Sequence, residues 1–212
     1  MSEKMLADAS PEKRLFISLL TRDIPLVAAF LDLVDNSINS AVEPYSTRLT
    51  SAQEYVDLFG DADVTPSVKI SLSVTDRSVS ITDTAGGISA TTARDHVFKF
   101  GRGYGESHAS DRLSVYGIGL KRAVFKLGNK ISITSDHPEG GFDLRLDVTK
   151  WAKGTEQPWQ FEISTREPAA SKTGTKILVS ELYDEVERRI SDGVFISQLK
   201  EAISRTYAYY LT

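Results

Sequence analysis

The chain has 212 residues, of which 41% are apolar and 25% charged. That is ordinary globular composition with room for one large domain, so wholesale disorder and a stapled miniprotein are both excluded. It contains no cysteine and carries a formal net charge of −4, which removes disulfide scaffolds, thiolate metal sites and cysteine nucleophiles and disfavours a globally basic nucleic-acid binder. No apolar run approaches the ~20 residues that span a bilayer, and Met1 to Ser10 has no signal-peptide core. A soluble, cytoplasmic domain is expected.

Met1 to Ala9 reads as a lead-in. Pro11 to Leu20 forms a short helix with Leu15, Phe16, Leu19 and Leu20 as its apolar face, and Thr21-Arg22-Asp23 breaks it. Pro25 opens a second helix, because proline is tolerated in a first turn. Its period places Val27, Phe30, Leu31, Val34 and Ile38 together as far as about Val42, and Glu43-Pro44 ends it. Tyr45 to Pro66 is mixed, with one helical turn around Gln53 to Phe59. Val68, Ile70, Leu72 and Val74 alternate with polar residues as in a half-buried strand, and Val79 to Thr82 returns after a tight turn at Asp76-Arg77. Asp83 to Tyr116 is glycine-rich and polar, with a short helix near Ala90 to Phe98. Leu120 to Leu127 is helical, with Gly128-Asn129 as its C-cap. Strands are expected over Lys130 to Ser135, Phe142 to Val148, Gln160 to Thr165 and Gly174 to Ser180. A last helix runs from Val194 to Leu211 with Phe195, Leu199, Ile203 and Tyr207 or Tyr210 on one side. Grouped helices with hairpin-linked strands predict an α+β two-layer sandwich, a mostly antiparallel mixed sheet with helices on one face.

Four short constellations carry chemistry. In Asp32-Leu33-Val34-Asp35-Asn36, a carboxylate and a carboxamide four residues apart project from one helix face, extended by Asn39. Such a pair suits a hard cation and an activated water, with the Asn36 carboxamide oxygen as a Mg²⁺ ligand. Asp83-Thr84-Ala85-Gly86-Gly87 follows a strand, where the glycines admit a flat ligand and Asp83 can accept from an exocyclic amine. Gly101-Arg102-Gly103-Tyr104-Gly105 precedes Tyr116-Gly117-Ile118-Gly119-Leu120-Lys121, whose glycines run into a helix start suited to anions. This run lacks the Gly-Lys-Ser/Thr ending of a P-loop and the glycine spacing of a Rossmann loop. Gly174-Thr175 opens a late strand, where the hydroxyl can bond a base or a bridging water. Taken singly, each also fits a plain turn, a surface loop or a solvated helix face.

Their order and spacing together resemble the GHKL ATPase superfamily of gyrases, heat-shock chaperones, histidine kinases and mismatch-repair proteins, over roughly Leu15 to Ser180. The string Leu-Val-Asp-Asn-Ser-Ile with Tyr-Gly-Ile-Gly-Leu-Lys looks closest to its MORC-like and chaperone-like branches. The resemblance implies a Bergerat ATP-binding fold with ATP and Mg²⁺ as ligands. It divides the chain into an N-terminal arm (1–20), an ATP-binding domain (21–190) and a C-terminal helix (191–212) leading to a transducer domain beyond this segment. Asn36 would hold the metal, and Asp83, Gly87 and Thr175 would receive the adenine. The backbone at Gly117, Ile118, Gly119 and Leu120 would hold the phosphates, with charge from Lys121. A lid from about Lys99 to Val115 would bring Arg102 or Arg112 to the phosphates. Asp32 would be the catalytic base, although the hydrolysing branches usually carry glutamate there, one methylene longer. Ala85 replaces the first glycine of the second box. The implied activity is ATP hydrolysis that drives lid closure and homodimerisation, with a client protein or transducer as the further partner and no nucleic acid or membrane indicated. Two other functions remain open. A nucleotide-sensing module without turnover would suit the shortened Asp32. A histidine kinase catalytic domain would need a partner helix, and His96, His108 and His137 sit in loop-like contexts.

Overall fold

The computed structural model describes residues 11–46, 68–100, 118–154, 159–208 and 210. Helix α1 (Lys13–Thr21) leads to α2 (Leu26–Ser46), and a hairpin of β1 (Ile70–Val74) and β2 (Ser78–Asp83) follows. Helix α3 (Ala90–Thr92) passes directly into a π-helical turn (Ala93–Val97). Then come α4 (Gly119–Leu127), β3 (Gly128–Asp136), β4 (Phe142–Asp147), α5 (Val148–Lys153), β5 (Ile163–Thr165), β6 (Gly174–Leu182), α6 (Asp184–Ile190) and α7 (Gly193–Thr206).

The strands form one six-stranded sheet in the order β1-β2-β6-β3-β4-β5. Every pairing in it is antiparallel. Because side chains alternate along a strand, each central strand sends one row into the core: Val79 and Ile81 from β2, Ile131 and Ile133 from β3, Ile177 and Val179 from β6. Helix α2 covers these rows with Ala29, Phe30, Leu33, Val34 and Ile38, and α4 with Ala123, Val124 and Leu127. The result is the expected α+β sandwich, and α2 lies against α4 across its helical layer.

Several local expectations change: the strand expected from Gln160 begins at Ile163, the last helix ends at Thr206, and Leu15 and Leu19 of α1 are exposed. Helix α2 continues to Ser46 rather than stopping at Glu43-Pro44, since proline's fixed φ is itself helical. The helix expected over Ala90 to Phe98 splits into one α turn and a π turn, which carries His96. Gly128 is not a left-handed C-cap: it is extended (φ −174°, ψ −175°) and starts β3. It is glycine because a Cβ there would lie 2.9 Å from the Glu181 carbonyl oxygen.

Helix α1 packs on the body. Lys13 Nζ donates to Gly154 O at 3.0 Å and sits over the Trp151 ring. Phe16 meets Phe100 and Trp159 edge-on, with centroids 4.8 and 5.1 Å away. The turn expected around Gln53 to Phe59, the arm before Pro11 and the segment containing Arg102, Arg112 and Gly117 lie outside the described residues.

Candidate nucleotide site

At one end of the sheet the buried rows change character. On β2 the inward sequence runs Val79, Ile81, Asp83; on β3, Ile131, Ile133, Ser135; on β6, Val179, Ile177, Thr175. Ser135 stands opposite Thr175 in the β3–β6 register. Three polar side chains thus occupy slots that elsewhere hold branched aliphatics, and they are 6%, 0% and 6% exposed respectively. Buried polar groups persist only when bonded, and these are. Asp83 Oδ1 accepts the N–H of Ala85 (3.0 Å) and of Thr175 (3.1 Å). Asp83 Oδ2 accepts Ser37 Oγ–H at 2.8 Å from helix α2. Ser135 Oγ lies 3.1 Å from Thr175 Oγ1 and accepts the N–H of Ile88 at 2.7 Å. A carboxylate offers about four lone-pair positions. Three are filled here, which leaves room for one more donor.

The backbone around this floor is pressed close. Gly87 has φ +77°, and a Cβ on it would lie 2.0 Å from the Asp136 carbonyl oxygen; a Cβ on Gly174 (φ +149°) would lie 2.1 Å from that of Asp83. Both positions therefore require glycine. Ala85 needs no such freedom: the one non-glycine residue at positive φ among the described residues is Glu181.

The second half of the site lies where α2 crosses the start of α4. Asn36 donates its side-chain N–H back to the Asp32 carbonyl, which fixes the amide and leaves its oxygen as the remaining donor atom for a cation. Asp32 is buried, and Arg122 grips it with both arms: Nε to Oδ2 at 2.5 Å and Nη2 to Oδ1 at 2.7 Å. Hydrogen bonding to Asp32 raises the Arg122 pKa further. A Cβ on Gly119 would stand 3.4 Å from Asp32 Oδ1, so the carboxylate lies beside the first residue of α4. The first bond of that helix is Arg122 N–H to Ile118 O. The N–H groups of Gly119 and Leu120 precede it and face the helix's positive end.

Lys121 is turned inward. It is 2% exposed, its Nζ donates to Val97 O and Lys99 O at 2.6 Å each, and it lies 5.5 Å from the centre of the Phe100 ring. Burial pulls its pKa down to about 8. Behind Asp32, the Tyr207 hydroxyl at the end of α7 lies 2.6 Å from Asp35 Oδ1 and 3.0 Å from Leu31 O. Burial raises the Asp35 pKa, and the Tyr207 bond opposes that rise.

Asp32 and Asn36 are therefore together on α2, Asp83, Gly87 and Thr175 together at the sheet end, and Ile118, Gly119 and Leu120 at the start of α4. Sequence reasoning missed Ser37, Ser135 and Arg122. The first two carried a readable signal, a hydroxyl next to Asn36 and a polar residue closing an aliphatic alternation. Arg122 contacts Asp32 across 90 positions of chain and offered none.

No cluster of three or more His, Cys, Asp or Glu able to hold a metal occurs among the described residues. Mg²⁺ takes one or two protein oxygens and completes its shell with water and phosphate. The Asn36 carboxamide oxygen fits that part. No helix among the described residues is long and apolar enough to cross a membrane.

The fold and the family match define an ATP-binding module of the GHKL type. Residues 24–175 match the family of histidine kinase-, DNA gyrase B- and HSP90-like ATPases, and the chain belongs to that family. A search of curated proteins found no match.

Proposed function

We propose that the chain binds ATP with Mg²⁺ and hydrolyses it, using nucleotide binding to close a lid and to pair with a second copy in the manner of the MORC-like and chaperone-like branches, in the cytoplasm. The observation that carries this reading is the polar floor. A buried carboxylate with one acceptor position to spare, flanked by Thr175 and Ser135 and by obligatory glycines, suits the amine edge of adenine. Asn36 would hold the metal, whose charge neutralises the phosphates. The N–H groups at the start of α4, with Gly117 and Arg102 beyond the described residues, would receive the phosphate oxygens. Asp32 would accept a proton from the attacking water. Asp32 lies within the same crossing of α2 and α4 as those N–H groups.

A second reading has its own support. Arg122 takes both oxygens of Asp32, which favours a module that senses nucleotide without turning it over. Calorimetric titration with ATP, with and without Mg²⁺, tests binding, and phosphate release separates the two readings. Binding that needs Mg²⁺ and fails in Asn36→Ala is expected. Absence of ATP binding by the intact chain would overturn both.

A further inference from the structure

Arg122 holds a partner that competes with phosphate for its guanidinium. Its guanidinium is bidentate on Asp32 and also feels the charge of Asp35. One Asp35 oxygen is already engaged by the Tyr207 hydroxyl. Arg122 sits in the first turn of α4, and helical side chains lean toward the N-terminus of their own helix. The guanidinium is therefore aimed along the same end of α4 at which Gly119 and Leu120 present N–H groups, with the Asp32 carboxylate between. It is partly open, with about a third of its side chain exposed, so it can change partners without unpacking the core. Guanidinium matches phosphate as well as carboxylate in geometry, and a triphosphate brings more charge than Asp32.

We infer that Arg122 is shared between Asp32 and the nucleotide: it clamps the carboxylate while the cleft is empty, and turns to the phosphates when they reach the start of α4, freeing Asp32 to orient water. Arg122 is thus both a phosphate-binding residue and the restraint on Asp32, so the carboxylate is released only when substrate is present. This rests on the ATP-binding reading above and adds to it a specific partner exchange. It also joins the two readings of the site, since the paired state resembles a sensor and the exchanged state an ATPase.

The experiment compares Mg-ATP with adenosine, which shares the base and lacks phosphates, by calorimetry and ligand-detected NMR on wild type, Arg122→Gln and Arg122→Lys. Arg122→Gln is expected to lose ten-fold or more in ATP affinity while adenosine stays within two-fold, and Arg122→Lys recovers part of the loss. Retained adenosine binding also reports that the variant is folded. A second measurement follows the energetic coupling between Asp32→Asn and Arg122→Gln in thermal unfolding. The coupling is expected to change the folding equilibrium several-fold without nucleotide and to vanish at saturating Mg-ATP. Equal losses for ATP and adenosine, or a coupling that persists with ATP bound, would overturn the partner exchange. If wild type binds ATP and Arg122→Gln binds it equally well, only this inference falls. If wild type binds neither ligand, the nucleotide reading itself falls.

Discussion

The two halves of the cleft are built differently. At the sheet end, Asp83, Ser135 and Thr175 stand on three adjacent strands, and their bonds are made by neighbouring backbone and by Ser37 from α2. At the helix crossing, Asp32 is held by Arg122 and Lys121 by two carbonyls of the segment after α3. The strand half is a set of buried, mutually bonded polar groups in which the Asp83 carboxylate has an acceptor position to spare. The helix half has its charged groups already engaged, Arg122 with Asp32 and Lys121 with backbone carbonyls. Recognition can therefore reside in a preformed floor, while response resides in charged contacts that exchange.

The contrast can be broken first at Asp83. Asp83→Ala would strand the N–H groups of Ala85 and Thr175 and the Ser37 hydroxyl in a buried setting, at about 1–3 kcal/mol for each unsatisfied group. We expect a large fall in stability by chemical denaturation, and loss of ATP binding of a hundred-fold or more in whatever fraction stays folded. Gly174→Ala should act almost as strongly, because its Cβ would strike the Asp83 carbonyl at a φ that side chains avoid. Unchanged melting and binding in Gly174→Ala would contradict the need for glycine at this close approach.

Effects at the helix half should separate catalysis from affinity. Asp32→Asn is expected to abolish phosphate release while ATP affinity changes only a few-fold. Lys121 supplies a pH test with a definite sign. Its folded pKa is about 8 against 10.5 for the free group, so between those values the unfolded chain binds the extra proton and stability rises with pH. Wild type should gain on the order of 2 kcal/mol relative to Lys121→Met across that window; parallel curves would contradict the assignment. Tyr207→Phe, which removes a single hydroxyl from Asp35, should cost about 1 kcal/mol in denaturant unfolding and leave adenosine binding unaltered.

The same division explains what could be read from sequence. Alternation marked β1, and short apolar runs between turn signals marked β2, β3, β4 and β6. The placement of Asp32 and Asn36 on one helix and of Asp83, Gly87 and Thr175 at or just after strand ends was legible because each belongs to a short local pattern on one element. The orientation of Lys121 was not: its position in the first turn of α4 is visible in sequence, but the carbonyls of Val97 and Lys99 that draw it inward depend on how the chain after the π turn packs. The Arg122–Asp32 pair likewise arises only when α2 and α4 cross. Gly128 was misread because glycine serves both left-handed caps and close backbone approach, and only the neighbouring β6 strand decides between them.

The most direct test of the central claim is a crystal structure with Mg²⁺ and a non-hydrolysable ATP analogue. It should show the adenine amine donating to Asp83 beside Thr175, the metal on the Asn36 oxygen, and phosphate at the start of α4. An empty cleft at saturating analogue, or a nucleotide bound away from Asp83, would contradict it.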